Sequence, residues 1–316
     1  MLISFVIPCY YSENTIGREV EAVMEQFNQN PGYECEFILV NDGSKDGTFN
    51  VIQSLCEEHP NVKGINLMRG FGQHNAQMAG LSYATGRYIM GMDDDMQTHP
   101  SQVFKLIHKI EEGYDVVYGE YPKSKNGFFK KLSSSFNKFT SRVMLEMPKE
   151  IVATNFWIIT DKVRDEVIKY SSFNPVLDAI FYQVTHNFGS VQVEHHKRDS
   201  GKSGYTFGKL VRLWLSYWNY SVIPLRISFF IGATSALFGL AVIIWLFYKR
   251  ITDPLLPMGW ASNLCLMTLL FGAVLMVLGV VGEYLGKAIL ILNKTPQYIV
   301  REELNIDTAN KEKTYK

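Results

Sequence analysis

The sequence lacks the signatures of several common functional classes. It contains no GxGxxG and no GxxxxGK[ST] segment, so neither a Rossmann dinucleotide site nor a P-loop is indicated. Its 31 basic residues are balanced by 31 acidic ones, and without a basic excess we expect no nucleic acid as a partner. The four cysteines are scattered without a CxxC pair, which favours reduced, packed thiols over a disulfide framework.

The first residues also lack the basic segment and the cleavage site of a secretory signal peptide. Residues 2–7 are instead a short apolar run that ends at Pro8, as expected for a strand covered on both faces. We therefore expect most of the chain to remain in the compartment where it is made.

Strand-like and helix-like segments alternate over residues 1–120. Strands are predicted at 2–7, 35–40, 62–67, 88–92 and 115–118, and helices at 15–27, 46–56, 75–84 and 101–112. This alternation predicts an α/β fold with a doubly wound, mostly parallel sheet. Such sheets bind ligands beyond the carboxyl ends of their strands, so the polar residues at those ends are the candidates for a site.

An acidic segment follows the fourth predicted strand. Asp93, Asp94 and Asp95 are adjacent, and their repulsion would raise at least one carboxyl pKa unless a cation lay among them. Hard oxygen ligands suit Mg²⁺ or Mn²⁺ that also holds a substrate phosphate. A solvated acidic turn is the alternative for this segment taken alone. Two further polar clusters, at 8–13 and 41–44, follow the first and second strands and point to the same crevice.

Four motifs, taken in order, resemble those of family 2 glycosyltransferases, and within them the polyprenyl-phosphate branch. They are Ile-Pro-Cys-Tyr at 7–10, Val-Asn-Asp-Gly-Ser-Lys-Asp-Gly-Thr at 40–48, Arg-Gly-Phe-Gly-Gln-His-Asn-Ala at 69–76 and Met-Asp-Asp-Asp-Met-Gln at 92–97. The resemblance covers essentially the whole chain, including Gly-Lys-Ser-Gly-Tyr at 201–205. It implies a glycosyltransferase A-type fold and a metal-dependent, inverting transfer from a nucleotide diphosphate sugar, with a UDP-sugar favoured, to undecaprenyl or dolichyl phosphate.

The resemblance implies roles for the residues on the nucleotide side. Pro8 and Tyr10 would lie against the base, which suits an aromatic ring and a planar partner. Glu13 would lie near the base or the ribose. Asp42 would accept a hydrogen bond from a base N–H, and Arg69 would contact the diphosphate or the sugar. A structural ion pair is the alternative for Arg69.

The same resemblance assigns the metal, Mg²⁺ or Mn²⁺, to Asp93, Asp95 and Gln97, with Asp95 counted among the catalytic residues. Asp94 replaces the smaller residue that is usual between the two ligands, and it is either a further ligand or a source of negative field. It belongs with the residues expected to bind the nucleotide sugar.

On the acceptor side, the sequence departs from the family pattern. Where relatives usually show a Gly-Asp-Phe-Arg-like run, this chain has Asn155 and Trp157 at the acidic and basic positions. An acceptor phosphate is already ionised near neutral pH, with a second pKa of about 6, so the loss of a carboxylate base need not abolish transfer. Trp157 either stacks on the sugar, as a nucleotide-sugar-binding residue, or packs in the core.

The acceptor phosphate itself is expected at a basic, glycine-rich loop. Its candidate ligands are Arg198, Lys202, Ser203 and Tyr205, and Arg198 and Lys202 are also counted as catalytic. The basic, aromatic segment 123–131 either contacts an anionic membrane or is a solvated helix start.

The last third of the chain is strongly apolar. Segments 227–247 and 264–282 have the length of membrane-spanning helices, and basic residues flank the pair on both outer sides. The sequence therefore predicts an integral membrane protein with its catalytic domain and both termini in the cytoplasm, although Lys249 and Arg250 at the tip argue weakly the other way. The predicted regions are a cytoplasmic nucleotide-sugar glycosyltransferase domain (1–205), an interfacial amphipathic helix (206–226), a two-helix transmembrane hairpin (227–292) and a cytoplasmic polar tail (293–316).

Two rival functions are considered. A processive polysaccharide synthase would show a QxxRW motif and more membrane spans, and the sequence has neither. A catalytically weak scaffold that binds a lipid or a partner protein is the alternative that the unusual Asn155 and Trp157 motivate. Whether copies of the chain form a homo-oligomer is also left open by the sequence.

Overall fold

The structure, a computed structural model, describes residues 1–121, 152–173, 175–194, 223–252, 259–293 and 295–306. The chain divides into two compact units, one formed by Met1–Leu210 with Pro296–Lys316 and the other by Val211–Thr295. The chain therefore leaves the first unit, forms the second, and returns to the first.

Eight strands of the described residues form one sheet. They are β1 (Leu2–Cys9), β2 (Glu34–Asn41), β3 (Val62–Leu67), β4 (Tyr88–Gly91), β5 (Val116–Glu120), β6 (Trp157–Thr160), β7 (Phe188–Gln192) and β8 (Val300–Leu304), in the order β7-β5-β6-β4-β1-β2-β3-β8. The helices of this unit are α1 (Ile16–Asn28), α2 (Thr48–Glu58), α3 (Gln73–Leu81), α4 (Val103–Glu111), α5 (Asp161–Val167) and α6 (Leu177–Val184), with a 3₁₀ turn at Pro100–Gln102.

The predicted α/β class and the five predicted strands are confirmed, with boundaries that shift by a few residues. β1 pairs in parallel with β2 and β4, and β2 pairs in parallel with β3. The sheet is mixed, because β6 runs antiparallel to β4 and β5, and β8 runs antiparallel to β3. The central strand β1 is buried from Ile3 to Cys9, which explains its unbroken apolar sequence.

The core on one face of the sheet is built around aromatic side chains from the central strands. The rings of Phe5 and Phe37 stack with centroids 5.2 Å apart, and Phe27 of α1 packs edge-on against Phe5. Burying three such rings contributes several kcal/mol of hydrophobic stabilisation, of order 2–3 kcal/mol each. This packing holds β1 and β2 in register, and with them the loops that follow both strands.

The predicted polar tail at 293–316 is wrong in part, because Val300–Leu304 forms the edge strand β8. Its charged residues suit an edge position, where one face remains in solvent. The guanidinium of Arg301 donates to the carbonyl oxygen of Met68 at 3.0 Å, and the Tyr83 hydroxyl donates to Glu303 at 2.9 Å. Residues 307–316 lie outside the described residues.

The second unit contains two long helices, α7 (Ile223–Thr252) and α8 (Trp260–Leu292). Leu270–Leu290 in α8 is long and apolar enough to cross a membrane, by length and composition, whereas the apolar stretch Leu225–Gly239 in α7 is shorter than a span. Among the described residues one candidate span is therefore found where the sequence predicted two. Most of the predicted interfacial helix, at 206–222, lies outside the described residues.

Candidate active site

The carboxyl ends of three neighbouring strands bring the predicted nucleotide-side residues together. β1 lies between β4 and β2, with Val6 opposite Gly91 and Cys9 opposite Asn41. Tyr10, Asp42 and the segment beginning at Met92 therefore leave the sheet side by side. Parallel strands place such segments on one edge of a sheet, which is where ligands bind in folds of this class.

The acidic segment folds into a turn, Asp93–Gln97, whose carboxylates have different partners. Asp94 accepts a hydrogen bond from the backbone N–H of Tyr10 at 3.0 Å, so its carboxylate ties the turn to the loop after β1. Asp95 accepts from the backbone N–H of Gln97 at 3.1 Å. Burial raises the pKa of Asp94, and Asp95 adds to the rise. The structure thus gives Asp94 a structural contact that its sequence position did not indicate.

Two side-chain amides hold Asp93, one on each carboxylate oxygen. Gln73 at the start of α3 donates from Nε2 to Oδ1 at 2.7 Å, and Asn155 donates from Nδ2 to Oδ2 at 2.9 Å. The residue that replaces a carboxylate of the family pattern therefore contacts the first aspartate of the turn. A carboxylate at 155 would repel Asp93 in this position, whereas the amide is attracted to it. Gln73 lies within a quoted motif, yet nothing in the sequence indicated its partner.

A buried glutamate, Glu19 of α1, also contacts this turn, and sequence reasoning missed it. Its side chain is fully buried, and Oε2 accepts from the backbone N–H of Met96 at 3.1 Å. Burial raises the pKa of Glu19 to about 8, and the negative charges of the turn add to the rise. The signal in the sequence was its place on the apolar face of α1, beside Ile16, Val20 and Val23.

Asp42 was predicted to bind the base, but in the structure both of its carboxylate oxygens bind the protein. Oδ1 accepts from the backbone N–H of Phe71 at 2.6 Å, and Oδ2 accepts from that of Gly72 at 2.9 Å. The residue is 6% exposed. Burial raises the pKa of Asp42, while these two hydrogen bonds oppose the rise. Asp42 therefore fixes the segment that follows Arg69, at the rim of the crevice.

The loop after β1 presents an aromatic pair. Tyr10 is 60% exposed, and the Tyr11 ring meets it edge-on with centroids 4.7 Å apart. Tyr11 has a positive φ of 57°, and its N–H donates to the hydroxyl of Ser44 at 3.1 Å. Glu13 accepts from the N–H of Gly47 at 2.7 Å, which places it against the loop before α2. Pro8 is buried within β1 beside Val40, so its ring is part of the sheet and not of an open surface.

Arg69 lies on the loop that Asp42 holds. Its guanidinium carbon is 4.6 Å from the centroid of the Phe71 ring, a cation–π contact. Among the described residues it forms no ion pair.

Trp157 was given two interpretations, and the structure corrects the one that stacked it on a sugar. The side chain is 2% exposed, and its ring packs edge-on against Phe181 of α6 with centroids 5.2 Å apart. It stands opposite Gly91 in the pairing of β6 with β4, and a Cβ at Gly91 would overlap the indole. The indole fills the space left by the missing side chain, so no ring face remains open for a sugar.

The predicted acceptor-phosphate residues Arg198, Lys202, Ser203 and Tyr205 lie outside the described residues, as does the basic segment 123–131. Their roles stay predictions.

Comparison with known proteins identifies the family. The model of the family "Glycosyl transferase family 2" matches residues 4–166, a range that contains the whole crevice described above. The chain belongs to glycosyltransferase family 2. An uncharacterised glycosyltransferase of Bacillus subtilis, YkcC, is 31% identical over 310 residues, covering 96% of this chain and 94% of the relative.

Two further proteins are similar to this chain. The undecaprenyl-phosphate 4-deoxy-4-formamido-L-arabinose transferase of Proteus mirabilis is 29% identical, covering 98% of this chain and 96% of the relative. The crystal structure of a mycobacterial protein superposes with a TM-score of 0.50 at 17% identity, covering 69% of this chain and 73% of that one. The latter likeness shows the fold alone.

The donor set of the turn is compatible with the predicted Mg²⁺ or Mn²⁺. Asp93, Asp95 and Gln97 offer only oxygen ligands of the hard kind that these ions prefer. Within the described ranges no three His, Cys, Asp or Glu side chains converge as a preformed metal cage. Magnesium sites commonly use one or two carboxylates and complete their shell with water and substrate phosphate, so two carboxylates in one turn fit an ion that arrives with a diphosphate.

Proposed function

We propose that this family 2 glycosyltransferase moves a sugar from a nucleotide diphosphate sugar, with a UDP-sugar favoured, to a polyprenyl phosphate at a membrane. The observation that carries the proposal is the exposed ring of Tyr10 beside the Asp93–Gln97 turn. A hydrogen bond from the backbone N–H of Tyr10 to the Asp94 carboxylate joins the two segments. An exposed aromatic ring suits a base, and a carboxylate turn next to it suits a metal-bound diphosphate. The lipid acceptor is supported by the full-length similarity to the Proteus mirabilis transferase.

In this proposal the chain positions the donor through its base and ribose, its diphosphate and a bound metal ion. Tyr10 stacks on the base, and Glu13 lies near the base or ribose. Arg69, whose guanidinium lies over the Phe71 ring, would neutralise charge on the diphosphate. Asp93, Asp95 and Gln97 would hold Mg²⁺ or Mn²⁺, and the ion would stabilise the negative charge that develops on the departing diphosphate.

The chemistry itself needs little from a protein base. An ionised phosphate oxygen of the acceptor attacks the anomeric carbon, and the bond from that carbon to the nucleotide diphosphate breaks, with inversion proposed. The acceptor has already lost its proton near pH 7. Asn155 therefore fits as a partner of Asp93 at 2.9 Å, in place of a proton acceptor. Arg198, Lys202, Ser203 and Tyr205 would bind the acceptor phosphate.

Chain connectivity supports a two-helix membrane hairpin as part of the proposal. β7 before the helical unit and β8 after it belong to the same sheet. In this proposal both ends of the helical unit lie on one side of a membrane, so the chain crosses it an even number of times. With Leu270–Leu290 as one span, α7 is the candidate for the other.

The test uses the full chain purified in lipid nanodiscs. A panel of radiolabelled nucleotide sugars is offered with undecaprenyl phosphate and Mn²⁺, and labelled lipid is measured beside nucleotide release. We expect one sugar to give lipid labelling that requires the acceptor and is lost in Asp95→Asn. No acceptor-dependent release with any sugar would contradict the proposal and favour the scaffold function instead.

A further inference from the structure

Glu19 is a buried carboxyl group that the proposed reaction leaves without a role. It lies on α1, yet its partner, the backbone N–H of Met96, is in the turn after β4. The side chain is 0% exposed, and its other oxygen, Oε1, has no hydrogen-bond partner among the described residues. Burial of a carboxyl group that is only half satisfied costs free energy, so a compensating structural or functional gain is expected.

The conformation of the turn indicates what that gain is. Met96 has φ of 56°, in the left-handed region that a non-glycine residue rarely occupies without support. Its neighbours Asp95 and Gln97 are bonded to each other through the Asp95 carboxylate and the Gln97 N–H. The N–H of Met96 is bonded from outside the turn, with Glu19 as the acceptor.

We propose that Glu19 is a positioning residue that holds the Asp93–Gln97 turn in the conformation that binds the metal–diphosphate group. This inference rests on the proposed function. Glu19 acts as a hydrogen-bond acceptor for Met96 and does not touch the donor sugar. It also links the two sides of the crevice, because α1 follows directly from the loop that carries Tyr10.

Two variants separate the acceptor from the carboxylate charge. Glu19→Gln keeps a carbonyl oxygen for the Met96 N–H at the same length of side chain. Glu19→Met keeps the length and the burial but removes the acceptor. Glu21→Met is the matched control, because Glu21 is an exposed residue of the same helix.

The readout is Mn²⁺ binding to the full-length protein in the presence of UDP, measured from the free-ion signal in electron paramagnetic resonance. Loss of a supporting contact to metal ligands typically weakens binding by about 10- to 100-fold. We expect that loss in Glu19→Met, an affinity within about threefold of the unchanged protein in Glu19→Gln, and no change in Glu21→Met. Hydrogen exchange at the Met96 amide should be faster in Glu19→Met alone, with the amides of β1 still protected.

The outcomes distinguish this inference from the function on which it rests. Absence of Mn²⁺ binding in the unchanged protein would overturn the proposed function and this inference with it. Normal Mn²⁺ affinity in folded Glu19→Met would overturn the inference alone. If Glu19→Met does not fold, Glu19→Gln decides: retained affinity together with unchanged protection of the Met96 amide supports the acceptor role, and lost affinity or lost protection in a folded protein overturns it.

Discussion

The loop after β2 and the turn after β4 present carboxylates at the same edge of the sheet, but use them differently. Asp42 is buried, and both of its oxygens accept backbone N–H groups of the segment at Phe71–Gly72. Asp93 is half-buried, and its oxygens accept side-chain amides from Gln73 and Asn155. Backbone donors are fixed by the fold, whereas side-chain amides can rotate away. The loop after β2 therefore forms the wall of the crevice. The turn after β4 keeps carboxylates whose side-chain partners a ligand can replace.

The largest effect is expected from Asp95→Asn in the turn. Asparagine keeps an oxygen for the Gln97 N–H but loses the charge that would bind the metal ion. A Lewis-acid contribution of several kcal/mol corresponds to a loss of sugar transfer of at least about 10³-fold. The melting temperature should stay unchanged. Transfer to lipid phosphate and thermal unfolding are measured on the same preparation, and full activity would show that this carboxylate is not part of the metal site.

The opposite pattern is expected when Asp42 is changed. Asp42→Ala leaves two buried N–H groups without an acceptor, which costs roughly 3 kcal/mol of folding free energy. Asp42→Asn keeps one acceptor and should lose about half as much. Thermal unfolding of the two variants checks the order. If Asp42→Ala melts normally and loses only nucleotide binding, Asp42 is a ligand-binding residue and not part of the crevice wall.

The carboxylates of Asp42 and Glu19 show what the sequence can and cannot predict. The alternation of strands and helices and the meeting of residues 10, 42 and 93 at one edge of the sheet follow from βαβ connectivity and were predicted. The partners of Asp42 were not, because they lie about 30 residues away on a loop whose backbone path no local pattern encodes. Glu19 was missed for a related reason. A glutamate early in a helix is normally explained by the helix dipole, which says nothing of a turn 77 residues away.

The edge strand and Trp157 illustrate a second limit. Val300–Leu304 has three consecutive charged residues and reads as solvated tail, yet the open edge of β3 supplies backbone partners that override this preference. Trp157 occupies the basic position of the family pattern, and stacking on a sugar was one of its two interpretations. The small residue opposite, Gly91, decides that the indole packs inward instead. In both cases the deciding partner is distant in sequence.

A smaller loss of stability is expected at the Gly91–Trp157 contact, which lies at the end of β4, just before the turn. Gly91→Ala would overpack the pair, at a cost of about 2 kcal/mol. Trp157→Phe makes room, so the double variant should be more stable than the sum of the single losses predicts. Additive losses in thermal unfolding would show that the two residues do not compete for the same space.

The smallest effect is expected at Tyr10, which belongs to the ligand side of the comparison although it follows the central strand. Its ring is exposed, while its N–H holds Asp94 through the backbone, so Tyr10→Ala removes the ring and leaves the turn intact. Loss of one base–aromatic stack, worth about 1–1.5 kcal/mol, should raise the KM for the nucleotide sugar about tenfold with little change in kcat. Tyr10→Phe is the control and should behave as the unchanged protein, since stacking needs the ring and not the hydroxyl. An equal rise of KM in both variants would assign the contact to the hydroxyl. A loss of kcat or of melting temperature in Tyr10→Ala would show that the side chain supports the crevice wall, as Asp42 does.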